Sequence, residues 1–273
     1  MILDESEQSY LATHRAHEAE WLVEQWRMLA GETGLTVTTL GEAGDHSVIL
    51  LESKAAANGG GLYLSAGIHG DEPAAGLGLL EWARRNGPFL AEESVVIAPC
   101  LNPWGLAHNL RTDQNGDDLN RRFEPGGGPV IEALLRHIAG RRFAATVSLH
   151  EDYDARGVYL YELADKEACI GERLLSVVEE VLPRHHGMVD GHEAPRGVIR
   201  REDPVEEIVR RIEGMPEAIY LNQHHTEVAL TFETPSEFSL YQRVLAQARF
   251  LEAVAGMFAE GESLSGCEQS GDS

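Results

Sequence analysis

The sequence predicts an α/β domain built on a mostly parallel or mixed sheet. Short apolar, β-branched runs alternate with segments of helical periodicity, and no linker or internal repeat divides them. The polar clusters follow strand-like runs, behind Ala66, Pro99, Leu149 and Phe232, where open α/β sheets collect their ligands.

Each element follows from local chemistry. Leu11, Trp21, Leu22, Trp26 and Leu29 recur at helical spacing, which predicts an amphipathic helix over Ser9–Ala30, stopped by Gly31 and Gly34. Leu35–Leu40 and Ser47–Glu52 read as a hairpin, and AAANGGG at Ala55–Gly61 as a turn. Leu62–Ala66 is a core strand that runs into GIHGDEP, and a helix over Pro73–Asn86 opens on a proline suited to a first turn. Ser94–Pro99 is a short buried strand. From Asn102 to Pro129 the chain is polar and glycine-rich, a length of loop that compact domains keep for function. Val130–Gly140 is helical, Ala144–Leu149 is a strand ending at His150, Gly157–Leu163 a strand and Lys166–Leu182 a helix. Pro183–Pro204 is irregular. Thr226–Phe232 is a strand ending at Glu233, and a last helix covers Glu237–Phe258. Residues 1–258 are thus expected to form one domain, with 259–273 a disordered polar tail.

Composition excludes several functions. A net charge of −23 opposes binding to nucleic acid or to an anionic membrane, both of which need basic surface. No run approaches the roughly 20 apolar residues of a membrane span. The start, MILDESEQSY, lacks the basic and apolar regions of a secretory signal, so a cytoplasmic location is expected. Cys100, Cys169 and Cys267 are scattered without a CxxC pair, which indicates neither a cysteine metal site nor a disulfide framework. The glycines of GIHGDEPAAG lie between strand and helix as in nucleotide loops. Neither phosphate-loop motif occurs there, however, and Asp71 and Glu72 would repel a phosphate.

The chemistry-bearing residues cluster. His69 and Glu72 follow a strand directly, flanked by Gly67 and Gly70; an imidazole and a carboxylate suit a zinc site that keeps a position for water. The competing reading is a helix-start turn whose acids meet the helix dipole. His150 ends a buried strand and is the natural third ligand, or else a solvated loop histidine. Glu233 ends another strand, where a carboxylate beside a metal can take a proton from water; alone it would be an exposed strand-end acid. Arg111, Arg121 and Arg122, with Asn120, supply cations and an amide able to grip a carboxylate or an oxyanion, although at least one arginine could merely offset Asp117 and Asp118.

GIHGDEP, NPWG, Arg111, DDLNRRF, a strand ending in His150 and a strand ending in Glu233 occur in order from Gly67 to Ser236. This set resembles the zinc metallocarboxypeptidase superfamily: carboxypeptidase A-like peptidases, murein peptide amidases and the succinylglutamate desuccinylase/aspartoacylase branch. The resemblance implies a three-layer α/β/α sandwich around a mixed, largely eight-stranded sheet. It implies one Zn²⁺ per chain on His69, Glu72 and His150, with Glu233 as general base and proton shuttle. Arg111 would stabilise the oxyanion, and Asn120 and Arg121 would hold the substrate's terminal carboxylate. With that ligand set complete, His185, His186, His224 and His225 are loop residues. Tyr220, thirteen residues before Glu233, stands nearer the base than the carboxylate-capping tyrosine of carboxypeptidase A-like members. Pro183–Gln223 matches no family pattern.

The function expected is therefore hydrolysis of an amide bond next to a free carboxylate, by a metallocarboxypeptidase or peptide amidase acting on a peptide. A deacylase of N-acyl amino acids is the alternative, and a non-catalytic peptide- or metal-binding relative the rival from another class.

Overall fold

The computed structural model describes residues 5–164, 170–200 and 204–260. The chain begins with α1 (Glu5–Thr13) and α2 (Ala19–Thr33), then forms the hairpin β1 (Thr36–Ala43) and β2 (His46–Glu52). The single helix expected over Ser9–Ala30 is thus two. Side chains close α1: the Thr13 hydroxyl donates to the carbonyls of Ser9 and Tyr10, and the His14 ring bonds the Leu11 carbonyl at 2.9 Å. Next come β3 (Leu62–Ala66), α3 (Pro73–Arg85), α4 (Gly87–Glu92), β4 (Val95–Ala98), α5 (Pro103–His108) and α6 (Pro129–Ile138). The turn at 55–61 contains a 3₁₀ segment, Lys54–Asn58, and the long loop contains α5 and the 3₁₀ turn Leu119–Arg121.

The second half places β5 (Ala145–Asp152) and β6 (Tyr159–Leu163) before α7 (Gly171–Val178), so the helix expected from Lys166 is shorter within the described residues. The stretch read as irregular holds the two-stranded ribbon β7 (Met188–Val189) and β8 (His192–Glu193), then β9 (Val198–Arg200). Two helices that the sequence reading lacks follow, α8 (Val205–Ile212) and α9 (Glu217–His224). The chain ends on β10 (Ala229–Pro235) and α10 (Leu240–Ala259). The expected tail lies, from residue 261 on, outside the described residues. Within those residues no helix is long and apolar enough to cross a membrane.

The main sheet has eight strands in the order β1-β2-β4-β3-β5-β10-β6-β9. The central four, β4-β3-β5-β10, are parallel; β2 and β6 join them antiparallel, β1 pairs antiparallel with β2, and β9 pairs parallel with β6. It is the mixed sheet that the resemblance implied.

Strand alternation sorts the two faces. Leu62, Leu64, Val147, Leu149, Leu230 and Phe232 pack into one core with α2, α3, α7 and α10. Tyr63, Val96 and Ala98 face the opposite layer, with residues of α6 and Leu221 of α9. By the same alternation Ser148 and His150 of β5, and Thr231 and Glu233 of β10, share the second face. Parallel pairing sets Glu233 opposite His150 and Pro235 opposite Asp152. Both strands therefore run past the ends read from apolar content alone, because the residues that extend them are the ones the site uses.

Candidate metal centre

The loop between β3 and α3 approaches the turn after β4 so closely that only glycine fits. A Cβ on Gly70 would lie 1.9 Å from the Gly105 carbonyl carbon and 2.2 Å from the Leu106 nitrogen. Asn102, fully buried, organises that turn: its N–H donates to the Gly67 carbonyl at 2.7 Å, and its Oδ1 accepts from the Gly105 N–H at 2.9 Å. Its Nδ2 donates to the carbonyls of Arg111 and Thr112 at 3.3 and 3.1 Å, which fixes the backbone carrying Arg111. Thus GIHGDEP and NPWG are two halves of one contact.

His69, Glu72 and His150 converge at the carboxyl ends of β3 and β5. All three are at least 96% buried, and one ligand atom from each lies within 4.8 Å of the others. Glu72 bridges the rings, its oxygens 2.6 Å from His69 Nδ1 and 2.9 Å from His150 Nδ1. Asp118 lies 3.3 Å from His69 Nε2 and accepts from Arg111 Nε at 3.0 Å, so it links an imidazole to the nearest arginine. Arg111 Nη1 is 3.9 Å from Glu72.

The site's electrostatics suit a divalent cation. Burial works to lower the His69 pKa, but the Glu72 charge and the hydrogen bonds to Asp118 and Glu72 prevail and raise it to about 9. Burial works to raise that of Glu72, yet the charges of His69 and His150 hold it at about 2. The His150 pKa is likewise raised: Glu72 and Glu233 outweigh burial. Two imidazoles and a buried carboxylate facing one point match the nitrogen and oxygen donors that zinc accepts, with three protein ligands. In the metal-free protein His69 carries a proton that a metal must displace. Zinc uptake at pH 7.5 should therefore release about one proton or more, and apparent affinity should climb with pH toward 9. Calorimetry in two buffers of different ionisation enthalpy measures this; uptake without proton release would contradict the charge state assigned here.

A cavity of about 380 Å³ opens beside the cluster. Arg111, Asn120, Arg121 and Glu233, all singled out in the sequence, line it together with His69, Glu72 and His150. Burial raises the Glu233 carboxyl well above the ordinary range; His150 opposes the shift, and Glu72 and Asp152 add to it. Asn120 Oδ1 accepts from the Glu217 N–H at 2.9 Å, and Arg121 Nη1 donates to the Asn120 carbonyl at 2.9 Å. Arg122 instead pairs with Asp117, the plain surface reading.

Tyr220 is not at the cavity. It packs edge-on against Phe123 at 5.9 Å and beside His224 at 4.5 Å, so it serves the core and not as a carboxylate cap; the cavity's tyrosines are Tyr153, Tyr159 and Tyr161. Buried His185 accepts from the Arg156 N–H at 3.2 Å, His225 bonds the Arg141 carbonyl, and exposed His186 belongs to no ligand cluster among the described residues. Asp118 and Glu151 also shape the site and escaped the sequence reading. For Asp118 the signal was present, since DLNR sets it beside Asn120 and Arg121.

Residues 58–159 match the succinylglutamate desuccinylase/aspartoacylase catalytic domain family. Murein peptide amidase A of Escherichia coli (strain K12) is 41% identical over 89 residues, 33% of this chain and 36% of that protein, so the match spans about a third of the curated relative's length. A candidate metallopeptidase of Shewanella amazonensis SB2B superposes with a TM-score of 0.76 at 26% identity, covering 89% of this chain and 94% of that one. A metallo-carboxypeptidase of Burkholderia cenocepacia shares the fold, with a TM-score of 0.62 at 15% identity over 87% of this chain and 69% of its own. In sequence over residues 58–159 and in fold over most of its length, the chain is similar to members of the zinc carboxypeptidase-like superfamily. Within that likeness, His69, Glu72 and His150 form a candidate metal site among the described residues.

Proposed function

We propose that this protein is a zinc-dependent hydrolase cleaving an amide bond adjacent to a free carboxylate, as a metallocarboxypeptidase or peptide amidase. The observation that carries the reading is the shared cavity. Three converging metal-ligand side chains, a carboxylate in register with one of them and a group of cations line a single space. Zinc, held by His69, Glu72 and His150, would supply Lewis acidity and make water a nucleophile near neutral pH. Glu233 takes the proton from the attacking water and returns it to the leaving nitrogen. Arg111, oriented by Asp118, stabilises negative charge on the carbonyl oxygen. Because Oδ1 of Asn120 is bonded to Glu217, its amide NH₂ is the group offered, with the Arg121 guanidinium, to the substrate's carboxylate.

A second reading, deacylation of N-acyl amino acids, is favoured by the desuccinylase/aspartoacylase match over residues 58–159. C-terminally free peptides, γ-glutamyl peptides and N-acyl amino acids, offered to zinc-loaded protein, separate the two. Cleavage of the peptides is expected. Blocking the free carboxylate as an amide, or Arg121→Gln, should lower kcat/KM roughly 10- to 100-fold, the worth of one charged hydrogen bond. Equal cleavage of free and amidated peptides would refute the carboxylate requirement.

A further inference from the structure

Glu72 stands at the N-cap of α3, the position from which a side-chain oxygen ordinarily turns back to accept from the N–H groups of the first turn. It makes no such bond. Its carboxylate is committed to His69 and His150, which leaves the first turn of α3 without its local acceptor.

The acceptor comes from another strand. Glu151, next to His150 on β5, points to the opposite face of the sheet, where its Oε1 accepts from the Ala74 N–H at 2.7 Å. Ala74 is the second residue of α3, the one a local cap would serve. The other carboxylate oxygen accepts from Arg243 of α10, whose Nε is anchored on the Phe238 carbonyl at 3.0 Å. One turn further along α10, buried Gln247 donates through Nε2 to the His150 carbonyl at 2.7 Å and to Thr234 Oγ1 at 3.0 Å. α3 and α10 approach closely here: a Cβ on Gly78 of α3 would meet the Gln247 Cβ at 2.3 Å.

These contacts close a ring. His150 joins Glu151 covalently, Glu151 joins Ala74 by a hydrogen bond, and Ala74 lies two residues from Glu72 in the same turn. We infer that Glu151 is a positioning residue of the metal centre: it caps α3 in place of Glu72, so that the Glu72 carboxylate is released to the metal and held at a fixed span from His150. Without it, the Ala74 N–H would lack a partner and Glu72 would be drawn back to cap its own helix.

The inference rests on His69, Glu72 and His150 being the metal site, and the test separates the two. Two double variants remove the Glu151–Arg243 charge pair alike: Glu151→Leu with Arg243→Met, and Glu151→Gln with Arg243→Met. Only the glutamine keeps an oxygen for Ala74. Zinc affinity is read by competition with a chelating dye, ligand geometry by the visible spectrum of the Co²⁺ form, and folding by thermal unfolding of the metal-free proteins. The leucine variant should bind zinc about 10- to 100-fold more weakly than wild type, as loss of an outer-shell partner typically does, with an altered Co²⁺ spectrum. The glutamine variant should stay within about threefold of wild type at similar thermal stability. Equal affinity and spectra in wild type and the leucine variant, or equal losses in both variants, would overturn the inference alone; a wild type that takes up no zinc would end the metal reading with it. A measurement without any variant stands beside these: the Ala74 amide of zinc-loaded wild type should resist hydrogen exchange, and exchange at the rate of an open loop would overturn the capping role.

Discussion

Replacing Glu233 by glutamine should leave zinc content at the wild-type level and lower kcat by about 10²- to 10⁴-fold, the range that positioned proton transfer contributes. The amide has nearly the volume of the carboxylate, and β10 keeps its pairing with β5 and β6 through backbone groups, so the fold has no reason to change. What is lost is a proton acceptor. Glu233 lines the cavity opposite His150 and is absent from the ligand cluster, and these two facts make the asymmetry between metal content and rate the informative readout. Burial favours its neutral form in the metal-free protein, and a bound dication would restore the carboxylate. The base is therefore competent only in the loaded site. A glutamine variant that hydrolysed substrate at the wild-type rate would remove Glu233 from the mechanism.

His150→Ala has the opposite signature. It deletes a ligand atom and leaves Glu72 with one imidazole, so zinc affinity should fall by more than the roughly 10- to 100-fold that follows loss of an outer-shell partner. Activity at limiting zinc should fall with it. The metal-free variant should still fold, because the β5 backbone pairs with β3 and β10 irrespective of this side chain. Metal analysis after dialysis checks this; zinc content equal to wild type would refute the three-ligand site.

The contrast between what the sequence discloses and what it conceals has physical causes. β3 matched its expected bounds, Leu62–Ala66, because a strand buried on both faces reads as an unbroken apolar run between turns. The convergence of His69, Glu72 and His150 was legible because they stand just past such runs, where chain order alone predicts the rim of the sheet. α8 and α9 were missed for different reasons. In VEEIVRRI four of eight residues are charged, and in EAIYLNQH a glutamate occupies a core position. Glu217 is 1% exposed and accepts from the hydroxyls of Tyr63, Ser65 and Ser148, so a residue that composition assigns to solvent lies beneath the sheet. Tyr220 drew attention by its spacing from Glu233, but the α9 helix turns it toward Phe123. Glu151 was hidden by adjacency: beside His150 it reads as part of a polar EDYD turn, and its partners on α3 and α10 are remote in sequence.

Hydrolysis should depend on one metal ion held by His69, Glu72 and His150. Chelator-stripped protein, titrated with Zn²⁺ while hydrolysis of a C-terminally free peptide is followed, tests it most directly. Activity absent at the start and rising linearly to a plateau at about one equivalent per chain is the predicted result. Full hydrolysis by the stripped protein, unchanged by added zinc, would contradict it.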